Sequence, residues 1–134
     1  MKLFLDTNIL IDLVADRIPF SKFAYRIFEE QKKGKWRLYT TANSILTTYY
    51  IAEKDVGEKK ARRIIKILLK RLEIQSISKS NLLSGILIPF KDYEDAVLHE
   101  AANEVKNIDL IITRNKRDFK KSEIPTKSSE ELFI

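Results

Sequence analysis

Asp6 closes the apolar run Lys2-Leu3-Phe4-Leu5 and is followed by Thr7-Asn8 and a helical apolar pattern beginning Ile9-Leu10-Ile11. A carboxylate at the C-terminal end of a buried strand stands where open α/β sheets place their ligands. Further acids follow downstream. Asp92-Tyr93-Glu94-Asp95 opens a second apolar helix pattern, and Leu110-Ile111-Ile112-Thr113-Arg114-Asn115-Lys116-Arg117-Asp118-Phe119 repeats the order of strand, Thr and polar residues. Acids from separate strand ends and helix starts, gathered at one sheet edge, would hold a hard divalent cation through oxygen. The chemistry such a site serves is phosphodiester hydrolysis. That reaction needs charge neutralised on the scissile phosphate and a water made nucleophilic, and one or two Mg²⁺ or Mn²⁺ ions held by carboxylates supply both.

Each acid also has a plainer reading. Asp6 can be the N-cap of the helix that starts near Asn8, Asp92 the N-cap of the next acidic helix, and Asp95 a complement to that helix's dipole. Asp92 and Asp95 are spaced to project from one helix face, whereas Glu94 is expected to point elsewhere. Asp95 precedes the apolar Ala96 and Val97. It therefore sits at the buried margin, where an acid requires a partner or a metal. Thr113, at the end of a strand, can hydrogen-bond a carboxylate or a water. Asn115 can orient a water without adding charge, and Asp118 reaches the site only if its loop folds back.

Competing chemistries are poorly served. His99 is the single histidine and cysteine is absent, so histidine and thiolate zinc sites, disulfides and a cysteine nucleophile are excluded. There is no glycine-rich phosphate loop and no serine in a nucleophile-elbow setting. Tyr49-Tyr50 and Trp36 could stack on bases, although aromatics at helix or strand spacing more commonly fill cores and rims. Twenty-five basic residues against 19 acidic ones give a net charge of +6, which favours polyanions or an acidic protein as partner. Arg114, Lys116 and Arg117 lie beside the acidic edge and are the candidate contacts to a polyanion, while Lys32-Lys33 and Lys59-Lys60-Arg62-Arg63 read as solvated helix faces. No signal peptide or membrane span is readable, and the cysteine-free composition suits a reducing cytoplasm.

The elements that must position these residues alternate along 134 residues with no linker or repeat, which predicts a single domain over 1–134. Strands are expected at 3–5, 37–41, 74–77 and 109–113. Helices are expected from about Ile9 to a break near Pro19, over 20–33, from a cap at Asn43 or Ser44 through Ile51, over 62–72, over 78–88 before Pro89, and from Asp92 to Lys106. A last helical turn covers 129–133. Such alternation predicts a parallel sheet with helices on both faces and right-handed crossovers.

Leu3-Phe4-Leu5-Asp6-Thr7-Asn8, then Asp92-x-x-Asp95-Ala96, then Ile111-Ile112-Thr113-Arg114-Asn115-x-x-Asp118-Phe119 resemble the signature blocks of the PIN domain, in the right order over nearly the whole chain. Ser122-Glu123-Ile124-Pro125 and Ser128-x-Glu130-Glu131 are similar to the typical ending. The resemblance implies a Rossmann-like, three-layer α/β/α fold around a parallel sheet of four to five strands. It also implies a Mg²⁺- or Mn²⁺-dependent endoribonuclease, many members being toxins of VapC-type pairs held in check by an antitoxin, and commonly homodimers. Carried across, Asp6 and Asp95 match metal-binding acids and Asp92 an additional acid of one branch. Thr7, Asn8, Thr47, Thr113, Asn115 and Asp118 would then orient water or phosphate, and Arg114, Lys116 and Arg117 would contact the RNA. Two positions depart from the pattern. Thr47 or Thr48 stands where the family usually has a glutamate, and Asn115 stands where many members have an aspartate. The missing charges predict weaker metal binding, one ion instead of two, and as the alternative a catalytically weakened module that binds RNA or a protein partner.

Overall fold

The computed structural model describes residues 1–134. Its five strands, β1 (Lys2–Leu5), β2 (Arg37–Thr41), β3 (Glu73–Gln75), β4 (Leu110–Ile112) and β5 (Thr126–Lys127), form one sheet in the order β3-β2-β1-β4-β5. Every pairing is parallel. The helices are α1 (Thr7–Val14), α2 (Ser21–Lys32), α3 (Ala42–Val56), α4 (Glu58–Arg71), α5 (Lys79–Leu87) and α6 (Tyr93–Asn103), with 3-10 turns at Lys116–Phe119 and Glu130–Phe133.

Strand periodicity divides the core into two. Leu3 and Leu5 face one side with Leu38, Leu110 and Ile112, where α1 to α4 bring Ile9, Leu10, Ile27, Phe28, Ile45 and Leu68. Phe4, Tyr39 and Ile111 face the other side, covered by Leu98 and Ala102 of α6, by Val105 just beyond its end, and by Phe119 and Ile124. Successive side chains on opposite faces thus produce helix, sheet and helix layers from short apolar runs.

Several expected boundaries differ: the first helix stops at Val14 well before Pro19, α3 runs on to Val56, α4 begins at Glu58 and not at 62, and two further differences bear on the cleft. β3 was expected at 74–77 but pairs over Tyr39↔Glu73 to Thr41↔Gln75, ending where β2 turns into α3 and offers no further partner. Ile77 is thereby released from the sheet. The cap of α3 is Thr41, not Asn43 or Ser44: its hydroxyl accepts from the Ser44 amide at 3.0 Å, so the helix begins directly at the strand end. No helix is long and apolar enough to cross a membrane.

Order reverses between β1 and β4, both of which leave the central strand pair at the same carboxyl edge. Asp6 follows β1 and Thr113 follows β4, so both stand at the topological switch point, the crevice that open parallel sheets offer to ligands.

Candidate metal centre

Asp6 is both a cap and a cleft residue. Its Oδ1 accepts the Thr7 amide at 2.7 Å. Its Oδ2 accepts the Thr113 hydroxyl at 2.7 Å and the Asn8 side-chain amide at 3.1 Å. A carboxylate has about four lone-pair directions. Three are therefore occupied, which fixes the rotamer and leaves one direction on Oδ1 open. Thr113 in turn accepts the Asn115 amide at 3.0 Å, and Asn8 Oδ1 accepts the Arg114 amide at 3.3 Å. The start of α1 and the segment after β4 are thus bound together around Asp6.

Asp92 caps α6, accepting the Asp95 amide at 2.9 Å, and Glu94 and Asp95 lie in the first helical turn. Both plain capping readings hold, and they bring the acids to the switch point. A cleft of about 590 Å³ is lined by Asp6, Asp92, Glu94, Asp95 and Asp118, with Thr7, Asn8, Thr41, Asn43, Ser44 and Asn115 between them. Apolar Ile11, Leu46, Ile77 and Leu82 form part of its wall. Five carboxylates line it and no lysine, arginine or histidine does, in a chain whose net charge is +6.

The electrostatics follow. The Asp95 carboxyl is pushed up to about 7, first by burial and then by repulsion from Asp6, Asp92, Asp118 and Glu94. Asp6 is also raised, by burial foremost and by Asp92 and Glu94, against the lowering effect of the Thr113 and Thr7 hydrogen bonds. As placed, no three acidic or histidine side chains form a ready-made cation cage. The donor set nonetheless fits a hard divalent ion: all-oxygen, crowded with negative charge, without an internal counter-cation and with an open lone pair on Asp6.

The structure brings together Asp6, Thr7, Asn8, Asp92, Asp95, Asn115 and Asp118, with Thr113 directly behind Asp6. Four other residues lie differently from what the sequence suggested. Glu94, expected to point elsewhere, lines the cleft, because the whole first turn of α6 faces the sheet edge. Thr47 is absent from the lining, where the shorter-reaching start of α3 contributes Asn43 and Ser44 instead. Ser44 Oγ lies 2.7 Å from Thr7 Oγ1 and accepts the Thr41 hydroxyl at 3.0 Å, a hydroxyl chain joining α3 to α1. Asn43 and Ser44 were legible only as cap candidates.

Arg114 is not a free cation. Its Nε lies 2.9 Å from Oδ2 of the fully buried Asp12, and its guanidinium covers the Phe20 ring at 4.4 Å. Neither Asp12 oxygen has an aligned hydrogen bond, so the contact is an ion pair without one. Burial raises the Asp12 carboxyl and Arg114 pulls it back. Lys116 is likewise engaged, 2.7 Å from Glu131, which it holds down at about 2. Of the three predicted RNA contacts only Arg117 is unpaired and exposed.

The model of the PIN domain matches residues 2–117. The chain belongs to the PIN domain family. A curated relative, Ribonuclease VapC1 of Aquifex aeolicus, is 28% identical over 136 residues, covering 98% of this chain and 92% of its own. VapBC2 of Rickettsia felis, solved bound to a DNA fragment from its promoter, superposes with a TM-score of 0.71 at 17% identity, covering 96% of this chain and 98% of that one. A toxin–antitoxin complex from Klebsiella pneumoniae superposes at 0.69 with 24% identity, over 95% and 97% of the two chains. These superpositions carry the PIN fold, a five-stranded parallel sheet between helical layers.

Proposed function

We propose that this PIN domain is a Mg²⁺- or Mn²⁺-dependent endoribonuclease, the toxin of a VapC-type pair acting in the cytoplasm on RNA and silenced by a cognate antitoxin. The observation that carries the reading is the cleft of five carboxylates without a basic side chain, built at the switch point of the sheet. The relative named as a ribonuclease and the two toxin–antitoxin complexes of the same fold support it.

In this reading Asp6 and Asp95 hold the cation, with Asp92 completing or supporting the set and Glu94 and Asp118 adding field. A bound divalent ion supplies charge neutralisation at phosphorus and an acidified water. The chain does the positioning. Thr113, Thr7 and Asn8 lock the Asp6 carboxylate, and Asn115 at the cleft wall orients water or a phosphate oxygen. A second reading, a weakened nuclease that chiefly binds RNA or a protein, is favoured by Thr47 and by the neutral Asn115. A homodimer is part of the proposal, with exposed Leu83, Ile86 and Leu87 of α5 as its apolar face.

The test is cleavage of single-stranded RNA with Mn²⁺ by the native chain and by Asp6→Asn/Asp95→Asn. Loss of cleavage in the variant is expected. Equal cleavage by both rejects the mechanism, and RNA binding without any cleavage by the native chain selects the second reading.

A further inference from the structure

A second cavity, of about 290 Å³, adjoins the acidic cleft and is lined by Pro89, Phe90, Lys91, Arg117, Asp118, Lys120 and Lys121. Asp118 lines both cavities. The four cations come from two segments distant in sequence. Phe119 is buried in the core and Phe90 meets it edge-on at 5.7 Å, which seats the 89–91 loop against the 3-10 turn Lys116–Phe119. Around that aromatic contact each segment places a cation and an acid next to each other: Lys91 precedes Asp92, and Arg117 precedes Asp118. The acids line the cleft, and the cations line the neighbouring cavity.

None of Lys91, Arg117, Lys120 or Lys121 is in an ion pair, although Arg114 and Lys116 close by in sequence both are. All four are exposed. Four cations and one carboxylate, Asp118, line this concavity, and the excess positive charge is relieved by an anion. A folded chain that neutralises the neighbouring cations and leaves these four open has a surface suited to phosphate.

We propose that Lys91, Arg117, Lys120 and Lys121 form a backbone-phosphate subsite for single-stranded RNA, seating a phosphate next to the one held in the acidic cleft. The subsite rests on the nuclease reading for its substrate class. It replaces Arg114 and Lys116 as the place where the strand is gripped and gives the strand a direction of exit, over Asp118.

Binding measured in EDTA separates this subsite from cleavage. Fluorescence anisotropy of a fluorescein-labelled single-stranded RNA, titrated over a salt series, is compared between the native chain, Lys91→Ala/Lys120→Ala/Lys121→Ala, and the charge-matched Lys59→Ala/Lys60→Ala/Lys66→Ala on α4. Single strands release about 0.7 counterion per phosphate neutralised. With one phosphate seated, the cavity triple variant is therefore expected to lower the salt slope by about 0.7 and to weaken binding about fivefold at roughly 0.1 M salt. The α4 variant is expected to bind as the native chain does. An unchanged slope in the cavity variant, or an equal loss from the α4 variant, overturns the subsite. Loss confined to the cavity variant in a chain that cleaves no RNA upholds it while rejecting the nuclease reading.

Discussion

The Asp95 carboxyl, raised to about 7, sets how the cleft responds to pH. Between its ordinary value of 3.8 and about 7 the folded chain holds a proton that the unfolded chain has released. Stability in EDTA therefore falls as pH rises through that window, and Asp6, also raised, contributes with the same sign. A divalent cation competes with the proton, so its affinity rises through about pH 7. Thermal melts at acid and mildly alkaline pH, with EDTA and with Mn²⁺, check this: the melting temperature should drop with pH in EDTA and hold with Mn²⁺. Position 47 gives a second check. It lies one helical turn beyond Asn43, which lines the cleft. Thr47→Glu should bring a sixth acid within reach and tighten Mn²⁺ binding at least about tenfold, the scale on which even outer partners change metal affinity. At Arg114 the expectation is structural. Arg114→Met leaves the buried Asp12 uncompensated and should cost about 3 kcal/mol in urea denaturation, with Asp12→Leu/Arg114→Met recovering most of the loss.

At the scale of elements, the cleft depends on where α6 begins and how closely α5 supports it. A Cβ on Gly85 of α5 would stand 2.9 Å from Val97 Cγ2 and 3.3 Å from the Val97 amide of α6. Gly85→Leu should therefore push the helices apart and destabilise by about 1–3 kcal/mol, with Mn²⁺ binding weakened as Asp92, Glu94 and Asp95 shift. Much of this scale was legible in the sequence. The alternation Leu3, Phe4, Leu5 announced a strand buried on both faces, and the acid after it announced the edge where a ligand would sit. What was not legible depended on pairing or on partners from afar. β3 ended early because β2 had ended, and Thr41 capped α3 because strand and helix abut. Glu94 joined the cleft through the orientation of a whole helix turn. Arg114 and Lys116 looked like free cations because Asp12 and Glu131, which neutralise them, are distant in sequence.

Taken as a whole, the molecule separates its charge. A chain of net +6 keeps basic side chains out of one cleft of five carboxylates and gathers four unpaired cations in the cavity beside it. Such a division suits a polyanion that must be held by its backbone while one phosphate is brought to a metal. The exposed apolar face of α5 belongs to this scale as well. If it joins two copies, Leu83→Glu/Leu87→Glu should halve the mass found by light scattering, whereas an unchanged mass would place the contact elsewhere. The claim on which the rest depends is that Asp6 and Asp95 share one divalent ion. Calorimetric titration of Mn²⁺ into the native chain and into Asp6→Asn/Asp95→Asn tests it most directly. Saturable binding to the native chain that vanishes in the variant is the predicted result. Binding of equal affinity in both, or no binding to the native chain at all, would contradict it.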